Sequence, residues 1–276
     1  QKLRAEVSHL LKEVRHTWKF DGMIGKSKGM QDLFQRLTQT IETERPILIL
    51  GEPGTGKDLL ARTIHYNGSH AAGPFVPVNC DALPSELIEG ELFGYVKGAF
   101  EGAVRDSVGL LRSAEGGTLF LDEIDALTLE VQGKLYEYFQ TGKVFPLGGR
   151  RAITVETRIL AAADPRIRDR VAEGGFHSDL FDVLRPVTLV LPSLLERKED
   201  LPLLIEHFLQ KSAARLKKSV KRFDSAAREF LVGASWKGNV RELEMVVEGA
   251  VISAKGKAIL RSDLPDSLST IGSAEG

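Results

Sequence analysis

A single cysteine, Cys80, occurs among the 276 residues, so no disulfide can form within the chain and the thiol reads as a buried structural group. Histidine is scarce too, at six residues with no metal-ligand spacing. His65 and His70 come nearest to one, across a predicted loop, and read as no site. Long hydrophobic runs are missing: the longest apolar stretches fall far short of the ~20 residues that cross a bilayer. The first residues lack a secretory pattern, which makes the cytoplasm the expected location. Neither sign of charge dominates. With 37 basic and 38 acidic residues the net charge is −1, which excludes a chain-wide basic footprint for nucleic acid. Any DNA contact has to be local or lie in another segment. Internal repeats are absent.

What is present is concentrated in GEPGTGK, Gly51 to Lys57. The stretch follows the apolar run Ile47–Leu50 and precedes the helix-like Asp58-Leu59-Leu60-Ala61-Arg62, giving strand, glycine-rich loop and helix in that order. In such a loop the glycines let backbone N–H groups converge on phosphate oxygens, the helix N-terminus adds positive potential and the lysine ammonium reaches the outer phosphates. The pattern predicts binding of a nucleoside triphosphate. Its usual last residue is Ser or Thr, whose hydroxyl holds Mg²⁺, and here Asp58 stands in that place. A ligand-free glycine turn is the blander reading, and a second motif argues against it. At Gly117–Glu123 a β-type run ends in Asp122 and Glu123, presenting two acids at the C-terminal end of a parallel strand. Asp122 is expected to organise Mg²⁺, through water, and Glu123 to polarise the attacking water.

Apolar runs at Ile47–Leu50, Phe75–Val78, Thr118–Leu121, Thr157–Ala162 and Val187–Leu191 alternate with helical patterns. They predict an α/β fold, a doubly wound parallel sheet with helices on both faces and ligands at the strands' C-terminal ends. After Pro192 the β signal stops, and helices are predicted over Leu201–Leu216, Ser225–Ala234 and Val240–Ala254, a small all-α domain. The last begins at Asn239 with Glu242 three residues on, a capping arrangement. Leu3, Val7, Leu10 and Val14 form a heptad-like stripe, either a helix packed on its own domain or a dimerising linker. Trp18 and Phe20 are expected to pack beneath the nucleotide-binding edge or the linker, and Trp236 in the helical domain. The expected division is a linker helix at 1–17, the α/β domain at 18–192, the helical domain at 193–266 and a frayed tail at 267–276. A start in mid-helix without an initiator methionine suggests a fragment of a longer protein.

An α/β nucleotide domain followed by a small helical lid resembles an AAA+ ATPase. Glu91-Leu92-Phe93-Gly94 followed by Lys97-Gly98-Ala99-Phe100-Glu101-Gly102-Ala103 resembles the ELFG…KGAFTGA signature of bacterial enhancer-binding proteins, the regulators that remodel sigma-54 RNA polymerase. Phe75–Cys80, Gly117–Ile124 and Trp236–Leu243 match as well, and the similarity covers roughly residues 18–265. An acidic residue after the loop lysine is common in that family. The resemblance implies ATP and Mg²⁺ as cofactors, with Ile24, Gly25, Gly51, Glu52, Gly54, Thr55, Gly56, Lys57, Asp58, Leu59 and Arg241 at the nucleotide. Ile24 and Gly25 line the adenine pocket and Arg241 contacts the γ-phosphate. Asn79 holds the catalytic glutamate, Glu123, in an inactive rotamer; read alone, it is equally a strand-end amide satisfying loop backbone. Partners implied are copies of the chain itself, in rings with ATP between subunits and a dimer as a possible resting state. A sigma factor is reached through Gly98–Ala103, and DNA through a domain outside this fragment.

The chain departs from that family at mechanistic positions. His177 and Val183 stand where the family carries arginines that reach the neighbouring subunit's γ-phosphate. Valine carries no charge and histidine is short and mostly neutral at pH 7. Arg185 and Arg170 are candidate replacements. Asp164 replaces the sensor asparagine and Leu195 another arginine. Glu101 replaces the threonine at the tip of the sigma-contacting loop, where burial of an unpaired carboxylate costs several kcal/mol. Two functions follow: a regulatory module that binds ATP and hydrolyses it slowly, or a nucleotide-gated interaction module whose chemistry is vestigial. An unrelated P-loop machine such as a helicase loader has no use for the Gly98–Ala103 loop. Arg215, Lys217, Lys218, Lys221 and Arg222 form a basic cluster that reads as a solvated loop rather than a nucleic-acid contact.

Overall fold

A computed structural model describes residues 22–266. The stripe at Leu3–Val14, Trp18, Phe20 and the tail at 267–276 lie outside the described residues. The described chain divides into two compact units that are not contiguous in sequence: residues 35–51 with 57–190, and residues 22–34 and 52–56 with 191–266. Helix α1, Lys28–Thr40, contributes to both.

The first unit is built on a five-stranded sheet in the order β2-β3-β6-β1-β7, parallel throughout. Its strands are β1 (Ile47–Leu50), β2 (Phe75–Asn79), β3 (Thr118–Asp122), β6 (Arg158–Ala163) and β7 (Thr188–Val190). Continuous apolar sequence suits β1, β3 and β6 because both of their faces are covered. Leu48, Leu50, Leu119, Leu121, Ile159 and Ala161 enter one core. That core is shared with α3 (Ser85–Phe93), α4 (Leu110–Ser113), α5 (Leu129–Thr141), α6 (Ile167–Ala172) and α7 (Ser178–Leu184). Their strand neighbours Ile47, Ile49, Phe120, Leu160 and Ala162, on the opposite face by the two-residue period, are equally buried. Helix α2 (Lys57–Asn67) packs on β1 and β3. The predicted strands recur within one or two residues at each end. The sequence reading missed the antiparallel pair β4 (Lys143–Val144) and β5 (Ile153–Thr154). His65 is a correction: it lies in α2 rather than a loop, is 1% exposed and meets Thr118 Oγ1 through Nδ1 at 2.9 Å. Cys80 is buried, as expected, and burial pushes its thiol up to about 12.

In the second unit α8 (Leu201–Arg215), α9 (Ser225–Gly233) and α10 (Asn239–Ser253) enclose a core of Leu204, Phe208, Leu231, Trp236, Leu243 and Val247. Trp236 also donates its ring N–H to the Leu231 carbonyl at 3.2 Å. Asp224 caps α9 by accepting from the Ala227 N–H at 2.7 Å. The lid is not purely helical. A short parallel ribbon joins β8 (Arg222–Phe223) to β9 (Ala258–Ile259), tying the end of α8 to the exit of α10. Two-residue strands carry no readable periodicity, so pairing alone reveals them.

Candidate nucleotide site

In the first unit the C-terminal edge of the sheet gathers the chemistry. β1 runs into Gly51, whose N–H donates to the Ala163 carbonyl at 3.2 Å, while Asn79 and Asp122 are register partners across β2 and β3. Lys57 opens α2, is 8% exposed, and its ammonium donates to the Gly51 carbonyl at 2.9 Å. A buried ammonium at a helix N-terminus is a site for an anion. Asp58, next in line, is exposed and pairs with Arg62 one turn on at 2.9 Å, and Leu59 is half-buried on the same helix.

Burial pushes the Asp122 carboxyl up, the charge of Lys57 opposes this, and Glu123 adds to the rise. Asp122 Oδ1 accepts the Glu123 N–H at 3.1 Å, and Glu123 itself sits at φ 56°, a left-handed conformation uncommon for a residue with a side chain. Local strain of this kind concentrates at functional sites. Asn79 does not meet Glu123 by a hydrogen bond among the described residues. Its Oδ1 accepts the N–H groups of Asp81 at 2.8 Å and Ala82 at 3.2 Å, the strand-end role. Asp164, following β6, is gripped by its neighbour Arg166: Nε to Oδ1 at 2.8 Å, Nη2 to Oδ2 at 3.3 Å and the backbone N–H to Oδ1 at 2.9 Å. Those bonds hold its carboxyl below the usual range, so it stays ionised. No group of three or more His, Cys, Asp or Glu side chains among the described residues forms a metal cage. A hard cation carried largely by phosphates would need only one or two carboxylates, and Asp122 at the end of β3 is one that could serve.

In the segment from His177 to Arg185, His177 and Arg185 have partners nearby. His177 is the N-cap of α7: Nδ1 accepts the Leu180 N–H at 3.4 Å, and its own N–H donates to Gln132 Oε1 at 2.7 Å. Its ring stacks on Tyr136 with centroids 5.6 Å apart. Val183 is half-buried. Arg185 pairs with Asp182 at 2.8 Å and Arg170 with Asp125 at 3.2 Å. The loop at Gly98–Ala103 closes on itself through Gly98 N–H to Ala103 O at 2.8 Å and Ala103 N–H to Phe100 O at 3.1 Å. Gly98 and Gly102 take φ of 83° and 99°. Phe100 packs edge-on against Tyr95, Ala103 is buried, Ala99 is half-buried and Glu101 is exposed.

In the second unit residues 52–56 are clasped by the lid. Thr55 is buried, with its hydroxyl donating to the Glu52 carbonyl at 2.8 Å. Gly56 takes φ 109°. Gly54 takes φ 79°, and a Cβ there would lie 2.2 Å from the Gly238 carbonyl, so only glycine fits. Gly54 O accepts the Arg241 N–H at 3.2 Å, and the Arg241 side chain is exposed. Ile24 packs against the lid core, and a Cβ on Gly25 would fall within 2.9 Å of Met30 and Asp200.

Asp200 is fully buried and accepts from Lys26 N–H, Ser27 N–H and Ser27 Oγ at 2.6, 2.9 and 2.7 Å. Arg197, also buried, donates to Thr55 O at 3.2 Å and to Met30 Sδ at 3.0 Å. The capping expectation at Asn239 is corrected. Gly238 is the cap, its N–H donating to Glu242 Oε2 at 2.7 Å, while Asn239 takes φ 55° and turns inward. The sequence reading did not single out Asp200 or Arg197, and a charged pair three residues apart before a helix gives no signal of burial. In the basic cluster Arg215 pairs with Glu248, and Lys218 donates to the carbonyls of Ile252 and Ala254 beside the end of α10. Leu195 is 60% exposed.

Residues 23–190 match the family described as Sigma-54 interaction domain, and residues 195–275 the AAA+ ATPase lid domain. The regulatory protein AtoC of Escherichia coli K12 is 41% identical over 96% of this chain and 58% of its own length. The DNA-binding transcriptional regulator NtrC of Rhizobium meliloti 1021 is 42% identical over 90% and 53%. The crystal structure of NtrX from Brucella abortus in complex with ATP aligns with a TM-score of 0.82 at 33% identity, over 89% of this chain and 54% of that one. The chain spans about half the length of the curated relatives it matches. It belongs to the sigma-54 interaction domain family of AAA+ proteins.

Proposed function

We propose that this chain is the ATP-operated module of a bacterial sigma-54-dependent transcriptional regulator: it binds ATP with Mg²⁺, assembles with copies of itself into a ring, and hydrolyses ATP slowly. The single observation that carries ATP binding is Lys57, a buried ammonium at the head of α2 beside a carboxylate-bearing strand end. In this reading the backbone of Gly51, Glu52, Gly54, Thr55, Gly56, Lys57, Asp58 and Leu59, with the Lys57 ammonium, cradles the phosphates, Ile24 and Gly25 line the adenine pocket and Arg241 meets the γ-phosphate. Mg²⁺ supplies charge neutralisation at the outer phosphates, with Asp122 holding its water. Glu123 orients the attacking water, and Asn79 restrains it by donating from Nδ2 while its Oδ1 keeps the Asp81 and Ala82 N–H groups. The relative crystallised with ATP supports the choice of nucleotide.

Slow hydrolysis rests on the segment after His177. The imidazole caps a helix through Nδ1, Val183 carries no charge, and Arg185 and Arg170 are paired with Asp182 and Asp125. An arginine in trans is worth about 10³–10⁵ in rate in related phosphoryl transfer. The Gly98–Ala103 loop, with Glu101 at its tip, is the surface for a sigma factor; a carboxylate there weakens that contact unless a cation faces it. DNA is engaged by a further domain of the whole protein, in the cytoplasm of a bacterium. No described helix is long and apolar enough to cross a membrane.

Sedimentation of the chain with and without ATP·Mg²⁺, alongside Glu123→Gln, tests the reading. Nucleotide-dependent assembly in both chains supports it, and sedimentation indifferent to ATP refutes the ring.

A further inference from the structure

Glu52 places a carboxylate inside a loop proposed to receive a triphosphate, and within the second unit the structure shows what turns it aside. Asn239 is 1% exposed. Its Oδ1 accepts the Leu194 N–H at 2.7 Å, and its Nδ2 donates to Glu52 Oε2 at 3.0 Å and to the Pro53 carbonyl at 3.1 Å. The amide orientation follows from its surroundings, with the nitrogen facing two oxygens and the oxygen facing an N–H. Two further bonds act in the same sense, Arg197 Nη2 on Thr55 O at 3.2 Å and Arg241 N–H on Gly54 O at 3.2 Å. In a trans peptide the carbonyl and the following N–H point in opposite directions. Drawing the Pro53 and Thr55 carbonyls toward Asn239 and Arg197 therefore directs the Gly54 and Gly56 N–H groups the other way.

We infer that Asn239 is a positioning residue for the nucleotide: it holds the Glu52 carboxylate and the Pro53 carbonyl off the phosphate-facing side of the loop, so that glycine N–H groups face the triphosphate instead of a negative charge. The inference rests on the ATP-binding reading above. The left-handed backbone explains why asparagine serves here, since it tolerates φ 55° where most side chains do not.

The test is a double-mutant cycle on the full chain, with fluorescent ATP and ADP analogues as probes and affinity as the readout. Asn239→Gly keeps the left-handed backbone and removes the amide. It is expected to weaken ATP about tenfold, and ADP less, because the exposed charge repels the more highly charged ligand. Adding Glu52→Gln, which removes the charge, is expected to recover about three- to tenfold of that loss. Raising the salt concentration should shrink the deficit of Asn239→Gly alone, since the repulsion is screened. Asn239→Asp, which retains the bond to Leu194 and the backbone tolerance, provides a second route and should bind ATP more weakly still. A loss equal in both Glu52 backgrounds, equal for ATP and ADP and insensitive to salt overturns the inference and leaves Asn239 a structural residue. No nucleotide binding by the unaltered chain refutes instead the reading on which it rests.

Discussion

The phosphate loop and the helix opening at His177 make an instructive pair. In the loop, irregular backbone is held by the groups the ligand-binding pattern demands: left-handed glycines at 54 and 56 and a buried lysine at the start of α2. In the segment from His177 to Arg185 the helix is kept and its one arginine, Arg185, is paired. His177 caps α7 with its imidazole, Val183 is half-buried, and Arg185 folds onto Asp182. The loop's glycines and lysine also hold its backbone, whereas a valine at position 183 leaves the helix intact.

The largest effect should come from restoring a charge. Val183→Arg is expected to raise ATP turnover at least a hundredfold at protein concentrations where subunits associate, against the 10³–10⁵ of an arginine finger. Phosphate release unchanged by that substitution would break the comparison. On the loop side, Lys57→Ala should weaken ATP about 10- to 100-fold, the loss of a charge-assisted contact. Calorimetric titration measures it, and an unchanged affinity would remove the lysine from the site. A smaller change tests whether His177 serves structure. His177→Ala should destabilise the chain by about 1 kcal/mol in urea unfolding through the lost cap, and leave phosphate release at the parent level.

The smallest effect near neutrality concerns the floor of α2. Burial and the nearby Arg158 push the His65 imidazole down to about 4, below its ordinary 6.5. Its neutral form is the folded one, so the unfolded chain takes up the proton first as pH falls. Stability is full above about pH 6.5, declines from there toward pH 4 and levels off below. Urea midpoints across that window should trace the decline, and the slope should be reduced in His65→Gln.

The α/β class was legible because strands buried on both faces leave unbroken apolar runs such as Ile47–Leu50 and Thr118–Leu121. The loop was legible because phosphate binding needs glycine and lysine in consecutive places. The paired strands β4–β5 and β8–β9 were not, since two residues hold no period. Nor was the inward turn of Asn239, because Asn followed by Glu three residues on reads equally as a cap until the backbone of Gly54 is placed beside Gly238. Charges were visible and their partners were not. That Asp164 is held by Arg166, or Arg170 by Asp125, depends on loop geometry that residue spacing does not encode.

The most direct test measures ATP affinity and phosphate release on one sample across a range of protein concentrations, beside Lys57→Ala. Saturable ATP binding with release that is slow, above that of the lysine variant and little changed by protein concentration is the expected result. Release that climbs steeply with protein concentration would contradict it, showing that a group on a neighbouring subunit already does the work that His177 and Val183 cannot.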